Sequence, residues 1–416
     1  MHHAPTLVVF AATYILIAFR RLSLLPIGRP AGALTGACAM VVIATIEPRW
    51  GIDVHGAFAA VEPNTIGLLF GMMLISGALA EAGFFDFAAR ALASGRLSPV
   101  GLLYGTTIGA GILSALLVND PVCVLGAPVV DAMARRAGVD RVPYLFGLAM
   151  GSNAGSAMTL AGNPQNMLVA HLSGLSYRDY LLRGGPAGLL ALVVTAMVLH
   201  VLFRKRLVVR SVVQETDERS TSLSKQDAMI AFAVTLGVSI SFLAGANLAF
   251  AALTGAAVLL VVRRRDPAAL FSSVTWTVLV FFAALFVVAA AFQRTGLAES
   301  ALAATKSWMP ENGNAATASL AGILTLGCQV VSNVPFILLA EPFIRSLPDP
   351  TLAWTTTAMA TTLAGNLTLL GSVANIIVIE TAKAEDEMGF VTYVKVGLPV
   401  TIASMVAGIG TLMLTR

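Results

Sequence analysis

Asp120 stands in the run Leu117-Val118-Asn119-Asp120-Pro121, within an apolar stretch that has no Lys or Arg from residue 97 to 134. A carboxylate so placed coordinates a cation, carries a proton, or caps the helix that follows it. Two further stretches set small polar residues in similarly apolar surroundings. The first reads Gly151-Ser152-Asn153-Ala154-Gly155-Ser156, then Thr159, then Gly162-Asn163-Pro164-Gln165-Asn166. The second reads Thr361-Thr362-Leu363-Ala364-Gly365-Asn366-Leu367-Thr368, then Gly371-Ser372 and Asn375. Ser332-Asn333-Val334-Pro335 forms a partner to the Asp120 run. These amides and hydroxyls can hold a small hydroxylated solute or an ion. No Ser/His/Asp set, phosphate loop with Lys, or metal-ligand spacing occurs, so the chain is not expected to be an enzyme, and no cofactor or resident metal is expected.

The elements that must position these residues follow from composition. Of 416 residues, 57% are hydrophobic and 12% charged, and the mean hydropathy is +0.83. A soluble domain carries about 25% charged residues and could not bury so much apolar surface. A cytosolic enzyme, a disulfide scaffold and a disordered regulator are excluded. The net charge of +4 comes from basic clusters between apolar runs, the pattern of cytoplasmic loops rather than of a nucleic-acid interface. Cys38, Cys123 and Cys328 all lie in apolar stretches and offer no disulfide framework.

A crossing helix needs about 20 mostly apolar residues. Spans are predicted near 4–20, 29–47, 63–81, 185–204, 228–244, 246–262, 275–292 and 391–414. Stretches 141–172 and 350–379 are too long for one straight helix and are interrupted by Gly, Asn or Pro, so they read as broken helices. Stretches 98–134 and 312–345 have a polar, Pro-containing break midway and read as re-entrant hairpins. The first apolar run lacks the basic flank and cleavage site of a signal peptide. Ten crossings put 18 of the 26 basic residues on one side, including Arg135-Arg136, Arg204-Lys205-Arg206 and Arg263-Arg264-Arg265. That side is expected to be cytoplasmic, with both termini outside.

The two halves repeat. Ala33-Leu34-Thr35-Gly36-Ala37 recurs as Ala252-Leu253-Thr254-Gly255-Ala256, and Pro48 matches Pro267. Asn119, Pro121 and Pro128 match Asn333, Pro335 and Pro342 at an offset of 214. Thr159, Gly162 and Asn166 match Thr368, Gly371 and Asn375 at 209, and Tyr180 and Pro186 match Tyr393 and Pro399 at 213. Each unit crosses five times, so the second lies upside down relative to the first. The expected architecture is all-α and polytopic. The first repeat is 1–205, with spans in 1–97 and a hairpin and broken helix in 98–204. A linker covers 206–227. The second repeat is 228–416, with spans in 228–311 and a hairpin and broken helix in 312–416.

Inverted repeats broken at matching places point to a secondary transporter whose site lies where the breaks converge. Unwound backbone survives in a bilayer only when buried in protein or lining a wet cavity. The candidate site is Asn119, Asp120, Ser152, Asn153, Thr159, Gly162, Asn163, Asn166, Ser332, Asn333, Asn366, Thr368, Gly371, Ser372 and Asn375. Polar residues also serve as plain interhelical glue, but glue has no reason to repeat in register across both halves. Asp120 is the first proton-coupling candidate and Glu341, half-way down the second hairpin, the second. Asp131 and His171 are expected near the membrane surfaces. Cys123 and Cys328 lie near the tips and read as apolar filler rather than thiophilic ligands. Without basic residues nearby, a small neutral polyhydroxy acid suits the site better than a multivalent anion.

Taken together, the hairpins, the Gly-Asn-Pro-Gln-Asn break and the Gly-Asn-Leu-Thr-Leu-Leu-Gly-Ser-Val-Ala-Asn break resemble the ion transporter superfamily. Its members include arsenite efflux permeases, silicon efflux transporters, sodium/proton antiporters and divalent anion/sodium symporters. Leu117 to Asp120 resembles the arsenite permeases most, and Ser152 to Asn166 the silicon branch. The resemblance implies an elevator mechanism, in which hairpins and broken helices move against a fixed, often dimeric, scaffold. It also implies that Asn119, Asn333, Asn366 and the two Gly-x-x-x-Asn motifs line substrate and coupling-ion sites. Dicarboxylate symporters carry Ser-Asn-Thr at both tips, whereas this chain has Val118-Asn119-Asp120 and Ser332-Asn333-Val334.

The leading expectation is an inner-membrane carrier that exports arsenite, coupled to proton entry. The alternatives are silicic acid efflux, a sodium-coupled carrier of an inorganic or carboxylic anion, and a channel. Expected partners are the substrate, proton or sodium, membrane lipid and a second copy of the chain. A separate cytosolic ATPase subunit is a further candidate, since the chain has no nucleotide motif; no nucleic acid is expected.

Overall fold

In the computed structural model, residues 3–18, 28–92, 97–209, 224–306, 309–310 and 313–415 are described, and among them no strand occurs. Among the described residues each half contributes ten α-helices. The first half runs α1 (Ala4–Ala18), α2 (Arg29–Ile46), α3 (Val54–Ala60), α4 (Pro63–Glu81), α5 (Phe84–Leu92), α6 (Pro99–Leu117), α7 (Asn119–Ala137), α8 (Val142–Ser156), α9 (Pro164–Ser173) and α10 (Tyr177–Phe203). The second follows in the same order: α11 (Lys225–Leu243), α12 (Leu248–Arg263), α13 (Pro267–Ser272), α14 (Trp276–Gln293), α15 (Leu297–Lys306), α16 (Asn314–Val331), α17 (Asn333–Arg345), α18 (Pro350–Ala364), α19 (Val373–Thr381) and α20 (Phe390–Leu414). The duplication read from scattered residues is therefore a duplication helix by helix.

Proline and capping side chains set many of these ends. Glu62 accepts from the Asn64 and Thr65 amides at the start of α4, Ser98 from Gly101 at α6, Asn163 from Asn166 at α9, and Asp349 from Leu352 at α18. Each of these helices opens on a proline, whose missing N–H is no loss there. Helix α10 begins eight residues before the span predicted at 185. Ser176 caps it through the Asp179 amide, and Arg178, Asp179 and Arg183 make its first turns too polar for hydropathy to detect. Among the described residues, eight helices are long and apolar enough to cross a membrane, with α1 and α12 shorter but apolar. Two of the eight, α6 and α16, are the first arms of the hairpins. Within the expected linker, residues 210–223 lie outside the described residues, as do Arg20 and Arg21.

Packing is reciprocal between the halves. Helix α4 lies on α12 and its counterpart α14 lies on α2; α7 lies on α19 and α17 on α9; α10 and α20 pack on each other. Small residues permit the close crossings: a Cβ on Gly71 would meet the Ala252 backbone at 2.7 Å. Charges gather at helix ends. Arg141 donates to both Glu387 carboxylate oxygens (3.0 and 2.8 Å), to Asp131 (3.0 Å) and to the Ala382 carbonyl (3.1 Å), tying the α7–α8 corner to the α19–α20 loop. Arg263 sits between Glu81 (2.9 Å) and Asp227 (3.8 Å).

Candidate functional site

Helix α8 stops at Ser156 and α9 restarts at Pro164; α18 stops at Ala364 and α19 restarts at Val373, after a short 3-10 turn over Leu369–Gly371. Glycine makes the first gap possible, because a Cβ on Gly162 would lie 2.3 Å from the Ser156 carbonyl oxygen. The hairpins turn sharply between their arms. Val118 (φ 92°) and Ser332 (φ 71°) both adopt positive φ, at positions 214 residues apart. For a β-branched valine this costs on the order of 1–3 kcal/mol, so the turn must be held from outside.

The two breaks are knitted together by side chains that obey the repeat. Asn166 donates to the Ser156 (3.4 Å) and Thr159 (2.9 Å) carbonyls, closing the first gap. Asn375 does the same in the second, to Gly365 (2.7 Å) and Thr368 (3.2 Å). Each asparagine is gripped by the opposite half. Thr362 donates to Asn166 Oδ1 (3.1 Å), and Asn153, its counterpart, donates to Asn375 Oδ1 (2.9 Å). Asn163 donates to Thr362 (3.1 Å) as Ser372 donates to Asn153 Oδ1 (3.0 Å). Asn366 joins the same knot, accepting from Asn153 (2.9 Å) and donating to the Met150 carbonyl (3.1 Å). All these side chains are buried, so each satisfied pair avoids the penalty of a bare polar group in apolar surroundings.

The first hairpin docks on this knot. The Asn119 backbone donates to the Gly162 carbonyl (2.9 Å), and its side-chain amide donates to Asn153 Oδ1 (3.1 Å). Ser76 on α4 donates to the Leu117 carbonyl (3.2 Å), and Thr159 to the Ala115 carbonyl (2.7 Å). Cys123 lies 3.1 Å from Ser152. Three oxygens at the two tips are buried without a hydrogen-bond partner among the described residues: Asn119 Oδ1, Asp120 Oδ2 and Asn333 Oδ1. A buried acceptor left bare costs about 1–3 kcal/mol, which a donor-bearing ligand or a cation would recover.

All fifteen candidate residues thus lie in the breaks, their flanking helices or the tips, where Ser332 supplies the second turn itself. Glu341 lies apart from them, paired with Arg345 at 2.9 Å toward the end of α17. Asp131 is paired with Arg135 and Arg141, and His171 stands 3.6 Å from Glu62. Two residues of the network were not singled out from sequence. Thr362 is legible as the 209-offset partner of Asn153. Gln329 donates to the Ala364 carbonyl (3.0 Å) and accepts from Thr368 (2.9 Å); its signal is one amide near the end of an apolar hairpin arm. No group of three or more His, Cys, Asp or Glu able to hold a metal occurs among the described residues.

Duplicated halves whose unwound, polar segments meet in the interior define a polytopic membrane transporter. The chain belongs to the CitMHS family, described as citrate transporter, which it matches over residues 14–364. It is 29% identical to the silicon efflux transporter LSI3 of Oryza sativa subsp. japonica, across 97% of this chain and 96% of that protein. A Dictyostelium discoideum protein bearing the name transporter arsB is 24% identical, across 92% of this chain and 87% of the other. The fold is shared with the YdaH transporter of Alcanivorax borkumensis, at a TM-score of 0.59 and 15% identity, covering 99% and 98% of the two chains.

Proposed function

We propose that this protein is a secondary active carrier of the inner membrane that exports a small neutral oxyacid, arsenite first, in exchange for protons carried by Asp120. The observation that carries the reading is the set of bare acceptors at the tips: Asn119 Oδ1, Asp120 Oδ2 and Asn333 Oδ1. Acceptors call for a ligand that donates, and a polyhydroxy acid donates through every O–H. A citrate-like anion would bring carboxylates toward Asp120 with no Lys or Arg in 97–134, 142–177, 307–344 or 346–382 to receive them. It would rest on helix N-termini alone.

Transport would follow an elevator motion, in which α6–α9 and α16–α19 travel together against the remaining spans, with a second copy of the chain steadying the scaffold. The knot binding both breaks into one body supports this, since it would survive only if the breaks move as a unit. Silicic acid is the second reading; it presents the same O–H donors, and the rice relative is named for silicon efflux.

The test is arsenite accumulation in energised inside-out vesicles, with and without a proton uncoupler. Uncoupler-sensitive accumulation is expected, and Asp120→Asn should abolish it while the protein remains folded in the membrane. Uphill transport by that variant would dismiss Asp120 as the coupling group. No accumulation by the folded wild type would move the reading to silicic acid or to a sodium-coupled anion.

A further inference from the structure

Residues matched through the offsets of the repeat do not seat the two hairpins alike. In the first half, α6 presses on α8 so closely that a Cβ on Gly155 would fall 2.2 Å from Gly111 Cα. Tyr144 fills the far end of that interface, fully buried, and its hydroxyl donates to the Pro99 carbonyl (3.1 Å). In the second half, Tyr144 is matched by Ala353 and Pro99 by Gly313. Both residues line a crevice of about 580 Å³ between α16 and α18, two turns deep, whose wall includes Thr317, Leu320, Asp349 and Thr356. The Thr356 hydroxyl is fully buried and has no partner among the described residues.

The tips differ in the same direction. Oδ1 is bare at both tips, but Asn119 donates to Gly162 and Asn153 beside the Ser76 bond, whereas Asn333 makes no such bond among the described residues. The threonines of the two breaks make the contrast plainest. Thr159 reaches the backbone of α6 directly at Ala115; Thr368 reaches α16 only through the side chain of Gln329, which occupies the position matching Ala115. The second arm therefore stands off from its broken helix, with Gln329 spanning the gap to Thr368 and to the Ala364 carbonyl.

We infer that only the second hairpin opens to admit and release the cargo, and that Gln329 is the positioning residue that holds it closed. The inference rests on the carrier reading above. Hairpin 1 and the knotted breaks form the wall of the site that stays closed. Arm α16 tilts into the crevice beside α18, and Asn333 moves away from the wall. Gln329 touches no cargo; it acts through Thr368 and the free carbonyl at the end of α18. Access is from the face of the molecule that carries residues 346–349, where the crevice emerges.

The test reads tip exposure and needs no substrate. Full-length protein with Cys38, Cys123 and Cys328 replaced is reconstituted in liposomes carrying Asn333→Cys or, separately, Asn119→Cys. Each is labelled with a membrane-impermeant maleimide. Removing both hydrogen bonds by Gln329→Ala should speed labelling of Asn333→Cys by about tenfold or more, from the 346–349 face, and leave Asn119→Cys unchanged. Gln329→Leu, which keeps the side-chain volume, carries the same expectation and stands in should the alanine variant fail to accumulate. Unchanged labelling at Asn333→Cys would overturn the inference. Equal acceleration at both tips would overturn it too, since that is general loosening. Because no cargo is involved, a failed arsenite assay leaves this result standing, and the reverse holds as well.

Discussion

Hairpin 1 and hairpin 2 descend from one sequence unit, yet the first is welded to its broken helix and the second is propped away from it. Glycine at 111, 151 and 155 lets α6 and α8 meet backbone to backbone; the matching residues Thr325, Ala360 and Ala364 hold α16 and α18 apart. Tyr144 plugs one interface and Ala353 leaves the other open. Asp120 in the first tip is matched by Val334 in the second. The comparison teaches a division of labour. Symmetry is kept where the two breaks lock into one body, and abandoned at the tips, where only the first carries a carboxylate, and along the arms, where only the first meets its broken helix backbone to backbone.

The largest effect should fall on the charge. Asp120→Asn is expected to eliminate uphill transport in energised vesicles, whereas Val334→Thr, at the matching position, should leave uphill transport in place with an altered apparent affinity. If both variants lost coupling alike, the asymmetry of the tips would be irrelevant to it. Next comes the plug. Ala353→Tyr would give the second half the ring that Tyr144 supplies in the first; it should block transport in a folded protein by filling the crevice. Undiminished turnover would show that the crevice plays no part.

Stability should register the weld more modestly. Gly155→Ala forces a clash with Gly111 and is expected to cost about 1–3 kcal/mol as overpacking, read as a lower melting temperature in detergent. Gly322→Ala, on α16, meets nothing within 4 Å and should cost nothing. The smallest effect is at the cap of α4. Burial raises the Glu62 carboxyl's affinity for its proton, but hydrogen bonds from Thr65 and Asn64 outweigh it and hold the group below the ordinary carboxylate range. Its contribution is thus present at neutral pH and lost as pH falls through that lowered value. Glu62→Ala should cost about 1 kcal/mol at pH 7 and progressively less in acid, checked by melting curves across pH.

Much of this architecture was legible in the residues. The breaks announced themselves because Gly and Asn cluster with Ser and Thr inside apolar stretches too long for one span, and the tips because Asn and Pro recur at one offset. The reciprocal knot of Asn153, Asn166, Thr362 and Asn375 was half visible: the asparagines stood out, while Thr362 lay in a run of threonines. The unequal seating of the hairpins was not legible. Tyr144 against Ala353 reads as an ordinary change between two apolar positions, and its meaning appears only when Pro99 and Gly313 are seen across from them. Gln329 was hidden for a related reason, since one amide on an apolar helix looks like interhelical glue until its two partners are known. The early turns of α10 were missed because Arg178, Asp179 and Arg183 lower the hydropathy of a helix that Ser176 nonetheless starts.

The unequal seating is tested most directly by hydrogen–deuterium exchange on the wild-type protein in lipid nanodiscs, comparing peptides from 99–137 with peptides from 314–345. Slow exchange through the tip of the first hairpin and markedly faster exchange around Ser332 and Asn333 is the predicted result. Equal protection of both tips, or faster exchange at Asn119, would contradict a first hairpin that stays closed and a second that opens.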